Sequence, residues 1–135
     1  MAVNNRGKTV EIVSVSMEPG LLRSLDSLCT RLGYRSRSKL VRMAVRALDS
    51  EYAQVESLRG RRAAVLVARH SKAREARVTD ITHEFHDIVT STMHCQGDAD
   101  CSEVIVVEGD AGRITELYRR LKAKKGVKGV LVSVM

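Results

Sequence analysis

The chain has 135 residues, room for one ordinary domain or two small ones. Hydrophobic residues make up 44 % but aromatics only 3 %, with no Trp, so the interior is expected to be aliphatic, and a small part of such a chain closes its core most readily as an oligomer. The net charge of +7 is unevenly placed: residues 1–50 hold nine Lys/Arg against four Asp/Glu, residues 83–117 hold eight acids against Arg113 alone, and the tail from Tyr118 is basic again. A basic head suits a polyanionic partner. No apolar run is long enough to span a bilayer, so no membrane partner is expected and the location is expected to be cytoplasmic. Three Cys without a secretory signal argue against a disulfide framework and toward metal binding or burial.

Residues 1–8 are polar and expected to be mobile. From Glu11 to Met17 polar and apolar side chains alternate, which predicts a short strand with Ile12, Ser14 and Ser16 on one side and Val13, Val15 and Met17 on the other. Glu18-Pro19-Gly20 opens a helix whose apolar stripe is Leu21, Leu22, Leu25, Leu28, Cys29 and Leu32, with Gly33 as its stop. Cys29 reads as a small buried hydrophobe. Ser38 is the expected N-cap of a second helix that runs to about Tyr52 and buries Leu40, Val41, Ala44, Val45 and Leu48. A lone strand and two helices cannot close a core, but two copies can, by pairing their strands antiparallel.

Residues 9–52 are therefore read as one domain, 53–60 as a polar linker and 61–135 as a second domain. In the second, strands are expected at Ala63–Ala68, Thr90–Gln96, Val104–Val107 and Val127–Val134. Helices are expected from Ser71 to about Ile88 and from Ala111 to Lys125, with Gly109-Asp110 as a turn between strand and helix. The order is β-α-β-β-α-β, the ferredoxin-like or ACT-like arrangement, and the whole chain is α+β.

The paired strands would make a ribbon of the width that fits the DNA major groove, presenting Ile12, Ser14 and Ser16 to base edges. Ser38 at the start of the second helix, flanked by Arg35, Arg37 and Lys39, suits backbone phosphates. These seven residues are the expected DNA contacts.

Four soft ligands, His83, His94, Cys95 and Cys101, fall within nineteen positions. Imidazole with thiolate favours nickel, copper, zinc or cobalt over magnesium or calcium. Ten residues separate His83 from His94 and five separate Cys95 from Cys101, spacings that suit a helix end and two strands better than a compact zinc finger. Asp98, Asp100 and Glu103 raise the local cation concentration. Strand alternation puts His94 and Gln96 on one face and Cys95 on the other, so Cys95 needs a bulge to join the cluster.

The segment Leu21-Leu22-Arg23-Ser24-Leu25-Asp26-Ser27-Leu28, followed by Gly33-Tyr34 and Arg37-Ser38, resembles the ribbon-helix-helix repressors, and in particular the nickel-responsive NikR family. That family has a His, ten residues, His-x-His, five residues and a Cys; the later ligands bind from one subunit and the first His comes from a neighbour. This chain matches both intervals but is one residue short. A gap after His94 puts Gln96 in the place of the third His; a gap before it puts Met93 and Cys95 in the two His places. Either departure shifts preference from nickel toward copper(I), zinc or cobalt. His70 lies one residue from a further family histidine that would suit an accessory site; taken alone it reads as a surface residue.

The resemblance implies a homotetramer, a dimer of dimers with a paired head at each end, on a palindromic double-stranded DNA operator. Metal would raise operator affinity, the protein acting as a repressor. An ACT-type regulator responding to an amino acid, with no metal site, is the alternative. No nucleophile–base pair with motif spacing is present, so an enzyme is not expected.

Overall fold

The computed structural model describes residues 9–135 and, within them, the side chains of all but residues 74–76. The polar start, residues 1–8, lies outside the described residues. The chain divides into two compact units, one through Ala47 and one from Leu48 onward.

In the first unit, α1 spans Pro19–Leu32, with proline in the first turn, where its missing N–H costs nothing. It stops at Gly33, whose φ of 69° is the left-handed conformation glycine adopts without strain. There the N–H groups of Gly33 and Tyr34 donate to the carbonyls of Thr30 (3.3 Å) and Cys29 (2.9 Å). Helix α2 spans Arg37–Glu56. Its cap is Ser36 rather than the expected Ser38: the Ser36 hydroxyl accepts from the Lys39 N–H at 3.2 Å, and Ser38 sits inside the first turn. Residues 53–56, expected in the linker, are the last turn of α2, because Val55 is fully buried in the core of the second unit and holds the helix there. The strand expected at 11–17 does not form within one chain; residues 9–18 have no partner edge to pair with.

The second unit is a four-stranded antiparallel sheet with two helices. Strand β1 spans Arg61–Ser71, α3 Glu75–Glu84, β2 Val89–Gln96, β3 Asp100–Asp110, α4 Ala111–Ala123 and β4 Val127–Val134. The spatial order is β2-β3-β1-β4, so the expected β-α-β-β-α-β succession is present. The core is aliphatic, as the composition implies: Leu66, Ile105, Val107, Ile114, Leu117 and Leu121 are fully buried around Phe85 and Tyr118.

Several element bounds differ from the sequence reading, among them the start of β3, at Asp100 rather than Val104. Strand β1 runs to Ser71 because Arg69, His70 and Ser71 pair with Ser102, Cys101 and Asp100. After a 3₁₀ turn at Lys72–Arg74, α3 is shorter than expected and ends at Glu84. Gly109 and Asp110 are not a free turn but the end of β3, and the Asp110 carboxylate caps α4 by accepting from Gly112 (2.9 Å) and Arg113 (3.2 Å). No helix among the described residues is long and apolar enough to cross a membrane.

Candidate metal centre and nucleic-acid interface

In the antiparallel β2–β3 ladder, His94 lies opposite Glu103, Cys95 opposite Ser102 and Gln96 opposite Cys101. On the other side of β3, Ala68 lies opposite Glu103 and His70 opposite Cys101. Alternation then puts His70, His94, Gln96, Cys101 and Glu103 on the sheet face that carries the helices, the face on which β1 and β3 bury every second residue. Cys95 is exposed and belongs to the opposite face with Ser102. The irregularity in this ladder falls between Val89 and Ser91, too far away to bring Cys95 round.

Cys101 is buried at 1 % exposure, and as the direct partner of Gln96 it is a diagonal neighbour of His94 on the same face. His83 is exposed in the last turn of α3. The chain around it is firmly held: Arg113 on α4 donates to Asp87 through two hydrogen bonds of 2.7 and 2.9 Å and to the Glu84 carbonyl at 3.2 Å, and its guanidinium lies 4.2 Å from the centre of the Phe85 ring. The Arg113 hydrogen bonds keep the Asp87 carboxyl below the usual carboxylate range. Arg120 adds an ion pair to Glu84.

The four predicted ligands do not converge within one chain. Among the described residues, a different group does: one ligand atom each from His70, His94 and Glu103 lies within 4.8 Å of the others. His70 is completely buried, which corrects its reading as a surface residue. The missed signal was the alternation Ala64-Leu66-Ala68, which reaches His70 once β1 is extended by two residues. Glu103, named from sequence only among the acids that raise the local cation concentration, sits on the buried register of β3 for the same reason.

In the head, Ile12 is 96 % exposed, Ser14 and Ser16 are exposed, and so are Arg35, Ser38 and Lys39. Arg37 is already engaged: its guanidinium grips Asp26 on α1 through bonds of 2.7 and 2.9 Å, holding that carboxyl below its ordinary range. The Lys39 ammonium lies over the Tyr34 ring at 5.4 Å. Val10, Val13, Val15 and Met17 border a largely apolar cleft of about 610 Å³ with Leu22, Leu25 and Val41. Val13, Leu21 and Leu32, expected in a core, are exposed in the single chain.

Comparison with known proteins identifies both halves. Residues 11–49 match the ribbon-helix-helix family of copG type, and residues 64–135 match the family described as the NikR C-terminal nickel-binding domain. The sheet unit also superposes on the ACT domain of a GTP pyrophosphokinase from Chlorobium tepidum, with a TM-score of 0.50 at 13 % identity, covering 55 % of this chain and all of that one. The class is thus a transcription regulator with a ribbon-helix-helix head and an ACT-like second domain.

A protein of Methanocaldococcus jannaschii assigned as a nickel-responsive regulator is 41 % identical over 127 residues, covering 91 % of this chain and 90 % of that one. One from Methanococcus maripaludis, assigned likewise, is 35 % identical with the same coverage. This chain belongs to the NikR family of nickel-responsive regulators.

Proposed function

We propose that the chain is a cytoplasmic repressor, without catalytic activity, whose affinity for a palindromic operator rises when it binds nickel. The observation that carries this reading is the joint match of a DNA-binding head and a nickel-binding domain along one chain. Residues 9–52 bind DNA and residues 61–135 bind metal and hold the tetramer. In a pair of heads, Ile12, Ser14 and Ser16 face the major groove, while Arg35, Ser38 and Lys39 contact phosphate. Arg37 has the support role of bracing α1 against the start of α2 through Asp26.

His94 and Cys101, diagonal neighbours on one face, hold the ion together with His83 of a neighbouring copy, whose exposed place at the end of α3 leaves it accessible to another subunit. Gln96, the cross-strand partner of Cys101, takes the place of the family's third His; Cys95 enters only if β2 bulges. With one imidazole fewer than the family set, zinc, cobalt and copper compete more closely with nickel. A tetramer through the outer sheet face is supported by the apolar side chains there, among them Leu131, which is 71 % exposed, and Met93. Bound metal changes operator affinity only as far as it prefers one arrangement of the heads.

A gel-shift titration with and without nickel tests the reading. Operator affinity should rise with nickel and fall back on chelation. Equal affinity under both conditions, and equally with copper, zinc and cobalt, would refute metal sensing while leaving DNA binding in place.

A further inference from the structure

The His70 ring is held by its own backbone: Nδ1 lies 3.1 Å from the Ser71 carbonyl oxygen. A carbonyl can only accept, so in the neutral ring the proton is on Nδ1 and Nε2 presents a lone pair. That Nε2 is buried and has no hydrogen-bond partner among the described residues. It faces Glu103 Oε2 across 4.0 Å, too far for an N–H···O bond. Glu103 is itself buried, and the same Oε2 is hydrogen-bonded to His94 Nδ1 at 3.3 Å. The result is an unpartnered buried His70 Nε2 facing a carboxylate oxygen that His94 holds from its other side, an arrangement that is costly unless something positive sits between Nε2 and the carboxylate.

We propose that His70, His94 and Glu103 form a divalent-cation site within a single chain, distinct from the site completed by a neighbouring copy. An ion of this class sits about 2.0–2.2 Å from nitrogen and oxygen ligands. The separations of 3.3 and 4.0 Å between those ligand atoms are those of groups flanking one ion. The backbone carbonyl that orients His70 from behind supplies the outer support metal-binding imidazoles need. Two imidazoles and a carboxylate, with no thiolate, select zinc, cobalt or nickel over copper(I). Because His94 belongs to both ligand sets, an ion held here withdraws His94 from the inter-subunit site. The proposal deepens the metal-sensing reading, and rests on it only for what the ion does to DNA affinity.

The test is cobalt(II) and zinc(II) binding to the metal-free full chain by equilibrium dialysis, with the cobalt absorption spectrum recorded. In Cys101→Ala, which removes the thiolate of the inter-subunit site, one equivalent per chain should bind without a thiolate-to-cobalt band. Adding His83→Ala should keep that equivalent, while adding Glu103→Gln, close to isosteric, should weaken it about tenfold or more. His94→Gln, at a partly exposed position (31 %), should do the same without a folding defect. In that Cys101→Ala background, unchanged cobalt affinity when Glu103→Gln is added, or no cobalt or zinc binding at all, would each overturn the proposal. Failure here is separable from failure of the regulator: nickel-dependent gel shift can persist when the triad binds nothing, and the triad can bind cobalt when nickel leaves DNA affinity unchanged.

Discussion

Ser36 and Ser38 show how much turns on single residues at a helix start. Ser36 caps α2, so Ser36→Ala should lower the stability of the head by about 1 kcal/mol. Ser38→Ala should leave stability nearly unchanged and weaken DNA binding instead; urea unfolding followed by circular dichroism, set beside gel shift, separates the two. Acid sensitivity also belongs here. Tyr118 and then Lys122 hydrogen-bond the Glu51 carboxylate and hold its pKa below the ordinary 4.5. A carboxyl depressed in the folded state stabilises fully above its unfolded pKa and loses that contribution as pH falls through the folded value. Stability of the second unit should therefore decline below about pH 4.5, and Glu51→Gln should flatten that decline in melts taken across the acid range.

At the scale of elements, the β3–α4 junction and the end of α3 form one braced corner. A Cβ on Gly109 would lie 2.4 Å from Ile88 Cγ2, and Ile88 is buried, so neither side can yield freely. Gly109→Ala should cost about 1–3 kcal/mol in chemical unfolding. Arg113→Gln removes the clamp on Asp87 and the Glu84 carbonyl, freeing the segment that carries His83. Nickel-dependent gel shift should then weaken while metal-free DNA binding is unchanged; an equal loss in both would mean that the clamp has no part in metal response.

For the whole molecule, the deciding fact is what one chain leaves uncovered. Val13 and Val15 are 79 % and 66 % exposed, and Leu21 and Leu32 also face solvent. Each such side chain would gain about 1.5–3 kcal/mol on full burial, which supports the proposed pairing of a second head against Val13 and Val15. Val13→Asp should break that pairing, reducing operator binding about a hundredfold, with the fold of the sheet unit preserved by circular dichroism. The proposed phosphate contacts are tested differently: Arg35→Ala and Lys39→Ala should each lower the slope of log affinity against log salt by about one.

Much of this was legible in local pattern. The helical spacing of Leu25, Ile114, Leu117 and Leu121, the Pro19 start and Gly33 stop, and the alternation in β1 are set by periods of 3.6 and 2 that any stretch of chain reports about itself. The same holds for the assignment of Cys95 to the face opposite His94. What local pattern could not report was how far β1 continues, since Arg69–Ser71 is a strand only because β3 is there to pair with it. On that extension depends the burial of His70 beside Glu103, and so which groups come together around His94. Ligand identity is written residue by residue, but convergence is a property of three strands in register, and only the assembled sheet supplies it.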